Sequence, residues 1–131
     1  MDPGVAVKLA AERIAVRDEH KLVAPTLLRS QTLSILYGQV RRGELTKKDA
    51  DRYLDHIRAL KIRLLGDRVL QATAWNVADR LGWADTLTAE YIALTQLQAD
   101  AFVTLDVRLA AVAKELVTVA SIDTFTSASG P

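Results

Sequence analysis

The clearest strand-to-helix transition in this chain reads AFVTLDVRL over residues 101–109. Its first four residues are apolar or β-branched, and they predict a short buried strand over residues 101–104. Asp106 then opens a helix, where its carboxylate can accept hydrogen bonds from the unpaired first-turn amides. Because ligands of open parallel sheets bind beyond the carboxyl ends of the strands, Asp106 is a candidate site residue.

Three other short apolar runs predict strands, and helical stretches separate them. The strands cover residues 21–24, which Pro25 ends, 62–65 and 116–119, and the main helices cover residues 5–16, 27–40, 46–60, 67–81 and 86–97. Strands that alternate with helices imply parallel pairing with helices on both faces of the sheet. The sequence therefore predicts one α/β layer domain over residues 1–123 and a flexible C-terminal tail over residues 124–131.

The composition excludes several classes of site. Seventeen basic against sixteen acidic residues give a net charge of +1, so no overall field attracts a polyanion, and a local patch or a metal would have to hold one. The absence of cysteine excludes disulfides, thiolate zinc sites and a cysteine nucleophile. The only histidines, His20 and His56, lie far apart in sequence, and neither occupies a credible catalytic-triad context. There is also no glycine-rich phosphate loop.

Membrane association is not expected. No apolar run approaches the roughly 20 residues that a membrane-spanning helix requires. The opening Asp2-Pro3-Gly4 does not have the basic and then apolar pattern of a signal peptide. We therefore expect a cytoplasmic protein that makes no membrane contact.

Three segments of the chain together resemble the PIN domain, and most closely the VapC-type toxins of bacterial toxin–antitoxin pairs. They are LVAPTLLRSQ at residues 22–31, TAEYIAL at 88–94 and VTLDVRL at 103–109. The resemblance extends from Asp2 to about Ile122. It implies a three-layer fold with a central parallel sheet between helices. It also implies a Mg²⁺- or Mn²⁺-dependent ribonuclease with about four acidic residues at the carboxyl edge of that sheet.

The resemblance assigns the site position by position. Asp2 matches the first family acid and Asp106 the last, which makes both of them metal ligands, and Thr104 matches a hydroxyl beside the metal. The second and third acids fall on Gln31 and Thr88, which are neutral. These two residues complete the expected catalytic set because their oxygens can still face a cation. They supply no charge, so we expect weakened or lost metal binding.

Two acidic residues lie close enough to Thr88 in the sequence to replace the third acid in principle. Asp85 lies just before the helix and is a candidate. Glu90 lies about 200° around the helix from Thr88 and is expected to point away.

The first strand of the expected sheet is truncated. Asp2 should follow a central apolar strand, yet only Met1 precedes it. Either the true start lies upstream or the chain has lost its middle strand. We favour the upstream start, because loss would expose the backbone groups of the neighbouring strands.

The sequence thus predicts a VapC-like endoribonuclease, weakened because two of the four acids are replaced. The alternatives are a catalytically inactive PIN-like protein that binds RNA or an antitoxin-like partner, and an α/β binding module without a nucleic-acid role. The expected partners are RNA, a cognate antitoxin and a second copy of the chain. The helices over residues 27–40 and 46–60 are candidate contact surfaces, although burial in the core explains their apolar character equally well.

Overall fold

The structure is a computed structural model, and it describes residues 1–126. Helices and short strands alternate along this part of the chain, as the sequence predicts. In chain order the elements are α1 (Pro3–Ala11), β1 (Val23–Pro25), α2 (Leu27–Arg41), α3 (Lys47–Ala59), β2 (Arg63–Leu65), α4 (Arg68–Leu81), α5 (Leu87–Gln98), β3 (Phe102–Val103), α6 (Val107–Ala113), β4 (Val119–Ala120) and the 3₁₀ helix η1 (Ile122–Thr126).

The strands of the described chain form two separate parallel pairs. Strand β1 pairs with β2, with Ala24 opposite Leu64, and β3 pairs with β4, with Phe102 opposite Val119. The predicted α/β class and the parallel pairing are therefore confirmed. The single central sheet is not formed, because β1 and β3 are not hydrogen-bonded to each other.

The division of the sheet has a local cause. Met1 and Asp2 run beside β3, and the Asp2 amide donates a 3.3 Å hydrogen bond to the Val103 carbonyl. The helix α1 begins directly afterwards at Pro3. Two residues of extended chain span only about 7 Å, which is too short to pair with both flanking strands along their length.

The helix ends follow their capping residues. The carboxylates of Asp2, Asp67 and Asp106 each accept a hydrogen bond from a first-turn amide, and the Thr46 hydroxyl does the same for α3. Helix α4 ends at Gly82, as predicted, because this residue adopts the left-handed conformation with φ of 68°.

Helix α1 is shorter than the predicted helix over residues 5–16. Arg13 adopts a left-handed conformation with φ of 53°. The Ile14 amide then reaches back to the Leu9 carbonyl at 2.9 Å, which closes the helix end. The apolar residues after this turn therefore do not continue the helical face.

One hydrophobic core joins the two strand pairs and their helices. Helix α5 contributes an almost continuous run of buried residues and packs against α4, β1 and β3. The largest fully buried side chains are Phe102, Leu9, Leu36, Ile92, Val5 and Pro25. None of the helices in the described part of the chain is both long enough and apolar enough to cross a lipid bilayer.

The C-terminal segment contributes to this core beyond the predicted domain boundary. The 3₁₀ helix η1 includes residues 124–126, which the sequence assigned to the tail, and its Phe125 is buried. The Phe125 carbonyl accepts a 2.9 Å hydrogen bond from the Arg17 amide, and its ring meets His20 edge-to-face. The rest of the predicted tail, residues 127–131, lies outside the described residues.

Candidate functional site

Asp2 lies at the carboxyl end of β3 and begins α1. Its Oδ1 atom accepts a 3.1 Å hydrogen bond from the Val5 amide, which is the ordinary role of an N-terminal capping residue. Its other oxygen, Oδ2, accepts a hydrogen bond from the Thr104 hydroxyl. The side chain is half-buried. One helix cap and one tertiary contact therefore hold this carboxylate in a single orientation.

Thr104 connects the two predicted metal ligands. Its hydroxyl donates to Asp2 Oδ2 and also accepts a 3.1 Å hydrogen bond from the Asp106 amide. A hydroxyl has one hydrogen to donate and two lone pairs, so both bonds can form at once. The turn after β3 is thereby tied to the start of α1. The family resemblance predicts that Thr104 lies beside a metal, and the structure places its hydroxyl between the Asp2 carboxylate and the Asp106 amide.

Asp106 is the exposed acid of the site. Its Oδ1 atom caps α6 by accepting a 3.0 Å hydrogen bond from the Leu109 amide. Within the described part of the chain, its Oδ2 atom has no hydrogen-bond donor. The carboxylate thus presents one oxygen and its charge to solvent.

Gln31 faces the buried hydroxyl of Tyr91 rather than a carboxylate. The Tyr91 O–H donates to Gln31 Oε1 at 2.5 Å, joining α2 to α5. Burial raises the pKa of Tyr91 well above its usual range, and the negative charges of Asp2 and Glu90 raise it further. Tyr91 therefore stays protonated and remains a donor.

Thr88 shares a small cavity with Asp106. The cavity has a volume of about 380 Å³, and its lining is mixed, with Trp83, Ala84, Asp85, Thr88, Asp106, Arg108, Leu109 and Val112 around it. Asp85, the candidate substitute acid, accepts a 3.1 Å hydrogen bond from the Leu87 amide and contributes to the same lining. Two carboxylates, one hydroxyl and one guanidinium therefore surround this space.

Glu90, which was expected to point away from the site, lies beside Tyr91 and is partly buried. Burial raises its pKa above the ordinary value for a glutamate.

Four of the five predicted site residues are connected to one another, and Gln31 has a different partner. Thr104 links Asp2 and Asp106 by hydrogen bonds, and a shared cavity adds Thr88 to Asp106. Gln31 is instead hydrogen-bonded to Tyr91. Across residues 1–126, no group of three or more acidic, histidine or cysteine side chains is arranged to hold a metal ion.

Tyr91 is the site residue that sequence reasoning missed. It lies in a run of buried residues on α5, where an aromatic side chain is expected to serve as core packing. A signal was nonetheless present, because a buried tyrosine hydroxyl needs a polar partner. That partner lies 60 positions away in the chain, so the sequence could not identify it.

No protein-family model matches this chain, and no curated protein is significantly similar to it in sequence.

Proposed function

We propose that this protein is a VapC-like, PIN-domain endoribonuclease that hydrolyses RNA phosphodiesters with a divalent metal and is weakened by the loss of two acids. The observation that carries the proposal is the hydrogen-bonded series Asp2–Thr104–Asp106 at the carboxyl end of β3. It joins residues from two distant parts of the chain in the place where parallel α/β folds bind ligands.

The architecture is consistent with the same proposal. Two parallel strand pairs between helices match a helix-flanked parallel sheet in class and strand direction. We propose the three-layer PIN arrangement for this domain. The three sequence segments that resemble the family contribute β1, α5 and β3 with their following turns.

The donor set fits a hard divalent cation in chemistry, although it is low in charge. Asp2 and Asp106 would supply carboxylate oxygens, and Thr88 and Gln31 would supply neutral oxygens. Mg²⁺ or Mn²⁺ bound there would activate a water molecule and stabilise negative charge on the phosphate. A divalent ion must lose hydration free energy when it binds, and two carboxylates offset only part of that loss. We therefore expect weak metal binding and slow turnover.

The remaining residues position this set. Thr104 orients the Asp2 carboxylate, and Tyr91 holds the Gln31 amide through a hydroxyl that does not ionise at neutral pH. Arg108 lines the cavity beside Asp106, where its guanidinium can donate hydrogen bonds to an RNA phosphate. Asp85 adds a second negative charge at this cavity and could assist metal binding.

The test combines calorimetric Mn²⁺ titration with cleavage of a mixed RNA substrate. The native protein should bind Mn²⁺ only at about millimolar concentration. The double variant Gln31→Glu/Thr88→Asp, which restores the family acids, should bind at least roughly tenfold more tightly and cut faster. Asp106→Asn should abolish both properties.

A matched control separates metal chemistry from helix capping. Asp67 caps α4 in the same manner as Asp106 caps α6. Asparagine is also a good capping residue, so Asp67→Asn should leave Mn²⁺ affinity and cleavage unchanged. The proposed activity would be refuted if neither the native nor the restored protein bound Mn²⁺ or cut RNA.

The second candidate function is a catalytically inactive PIN-like protein that binds RNA or an antitoxin-like partner. Two observations favour it: the Gln31 oxygen is already engaged by Tyr91, and the described residues hold no cluster of three metal-binding side chains. Cleavage by the restored double variant, with none by the native protein at saturating Mn²⁺, would establish this alternative.

The partners proposed with either function are RNA, a cognate antitoxin and a second copy of the chain. Helix α2 leaves Leu33 and Tyr37 more than half exposed, which supports a protein contact on this face. Light scattering of the native protein and of the Leu33→Glu variant tests the homodimer. The variant should be monomeric, because a charged side chain on this face disfavours the contact.

A further inference from the structure

A cleft with a volume of about 880 Å³ lies at the amino ends of β1 and β2. Its walls are the segment after α1, the end of α3 and the residues that lead into the two strands. None of the predicted site residues lines it, and the candidate site lies at the carboxyl end of β3. We call it the basic cleft, because four cationic side chains line it: Arg17, Lys21, Lys61 and Arg63.

Most of the positive charge in the basic cleft is not balanced by a nearby acid. The Arg17 guanidinium is paired with a neighbouring glutamate at 2.9 Å. Within residues 1–126, the side chains of Lys21, Lys61 and Arg63 form no ion pair. Asp18 is the one acid that this part of the chain contributes to the lining. Since the whole chain carries a net charge of only +1, the positive charge here is a local concentration.

Strand pairing brings the unbalanced cations side by side. Val23 lies opposite Arg63, and the Arg63 amide donates a 2.9 Å hydrogen bond to the Leu22 carbonyl. Lys21 and Lys61 each stand two positions before this registered pair. Adjacent strands are only about 4.8 Å apart, and like charges on neighbouring strands repel each other. A bound anion would remove this repulsion.

Lys61 occupies a backbone conformation that favours glycine. It follows the end of α3, and its φ of 54° lies in the left-handed region. A residue with a Cβ atom is sterically disfavoured there, whereas glycine is not. The lysine side chain at this position lines the basic cleft. The chain therefore accepts a strained residue where that residue adds a positive charge to the cleft.

The basic cleft also offers an apolar surface. Ile14, Val16, Leu22 and Leu60 line it and are partly or fully buried. The His56 ring donates a 3.0 Å hydrogen bond from Nε2 to the Ile14 carbonyl, which joins α3 to the segment after α1 where both line the cleft. Small-molecule sites have volumes of this order and combine apolar lining with a few charged groups.

We propose that the basic cleft binds a free organic phosphate of mononucleotide size. Its phosphate lies among Lys21, Lys61 and Arg63, and its uncharged body packs against the apolar lining. A phosphate group carries nearly two negative charges and three acceptor oxygens, which matches three cationic donors better than a carboxylate does. The Arg63 guanidinium suits two of these oxygens, and the lysines act as point charges. This site shares no residue with the proposed ribonuclease site, so each can be tested without the other.

The first experiment titrates adenosine 5′-monophosphate (AMP) into the full chain in metal-free buffer, with adenosine and inorganic phosphate as comparison ligands. Calorimetry measures affinity, and amide NMR shifts locate the ligand. AMP should bind saturably and shift the amides of Lys21, Lys61 and Arg63. Adenosine lacks the phosphate and inorganic phosphate lacks the organic body, so each should bind at least roughly tenfold more weakly.

Two glycine substitutions separate ligand binding from backbone strain. Lys61→Gly removes the charge but suits the left-handed backbone, so AMP affinity should fall roughly tenfold while Tm does not fall. Arg13→Gly is the matched control, because Arg13 has a φ of 53° but does not line the cleft. It should leave AMP affinity unchanged. Lys21→Gln and Arg63→Gln should weaken AMP binding as Lys61→Gly does.

Four results would overturn the proposal. The first is the absence of saturable AMP binding at millimolar concentration, and the second is an equal effect of Lys61→Gly and Arg13→Gly on affinity. The third is a set of shifts centred on the Asp106 and Leu109 amides, which would place AMP at the ribonuclease site. The fourth is tighter binding of a short 5′-phosphorylated RNA than of AMP at the cleft amides, which would assign the cleft to an RNA end.

Discussion

The Thr104 hydroxyl donates a hydrogen bond to the Asp2 carboxylate across 102 positions of the chain. The Asp106 amide bonds to the same hydroxyl, so Thr104 joins the Asp2 carboxylate to the backbone at Asp106. The contact also holds the start of α1 against the end of β3. One small side chain therefore contributes both to the fold and to the site.

Replacing Thr104 by valine should remove both hydrogen bonds while conserving shape. We expect a loss of about 1–3 kcal/mol in the free energy of unfolding, because the half-buried Asp2 carboxylate loses a donor. Mn²⁺ affinity should fall as well, since Asp2 is no longer oriented. Urea denaturation and calorimetry measure the two effects. Thr104→Ser keeps the hydroxyl and should remain close to native; an equal loss in both variants would contradict the hydrogen-bond explanation.

Replacing Tyr91 by phenylalanine should change stability most clearly at high pH. Burial, with the nearby Asp2 and Glu90 charges, raises the pKa of Tyr91 in the folded protein above its usual value of 10.0. The unfolded chain therefore loses this proton first, and native stability should decline as pH rises above 10. The Tyr91→Phe protein should lack that part of the decline, although it is less stable at pH 7 because Gln31 loses its partner.

Denaturation curves between pH 8 and about pH 11 test this dependence, with Tyr53→Phe as the comparison variant. Tyr53 lies on α3, and its ring stacks near the Arg52 guanidinium rather than in the site. A pH dependence that is identical in Tyr91→Phe and the native protein would show that the raised pKa does not contribute.

In a protein whose chain begins at Met1, the buried ammonium of that residue should make stability depend on pH near neutrality. Burial lowers the pKa of the Met1 ammonium from 8.0 to about 6, although the Asp2 charge opposes this shift. Between these values the unfolded chain binds more protons than the folded one, so stability should rise from pH 6 to pH 8. The increase should be on the order of 2 kcal/mol, because one unit of pKa corresponds to about 1.4 kcal/mol.

N-terminal acetylation provides the comparison for this prediction. The acetylated protein carries no ammonium and should lose this contribution. Denaturation in the presence of EDTA excludes metal effects. A slope between pH 6 and pH 8 that acetylation leaves intact would have to come from another group.

Two substitutions at Asp106 should separate its role as the cap of α6 from its proposed role as a metal ligand. Asp106→Ala should cost about 1 kcal/mol in stability, because α6 loses its cap. Asp106→Asn should be nearly neutral in stability, since asparagine caps equally well. Both substitutions should abolish Mn²⁺ binding, which requires the charge. Binding that survives in the asparagine variant would show that Asp85 and Asp2 suffice for the ion.

The order of amino acids was sufficient to predict the local elements. The short apolar runs became strands within two or three residues of the expected positions. Asp67 and Asp106 begin helices, and Gly82 ends one, where the sequence predicted. These features depend on neighbours in the chain, through hydrophobic periodicity and capping hydrogen bonds. The candidate acids were also identified at this level, because Asp106 directly follows a recognisable strand.

The tertiary structure alone showed how distant residues meet. The Tyr91–Gln31 hydrogen bond, the Thr104 bridge and the burial of Phe125 join positions whose separation no local pattern encodes. The division into two strand pairs likewise depends on what lies between β1 and β3 in space. Such contacts arise when helices and strands bury their apolar faces together, and the free energy of that burial belongs to the whole assembly rather than to any one segment.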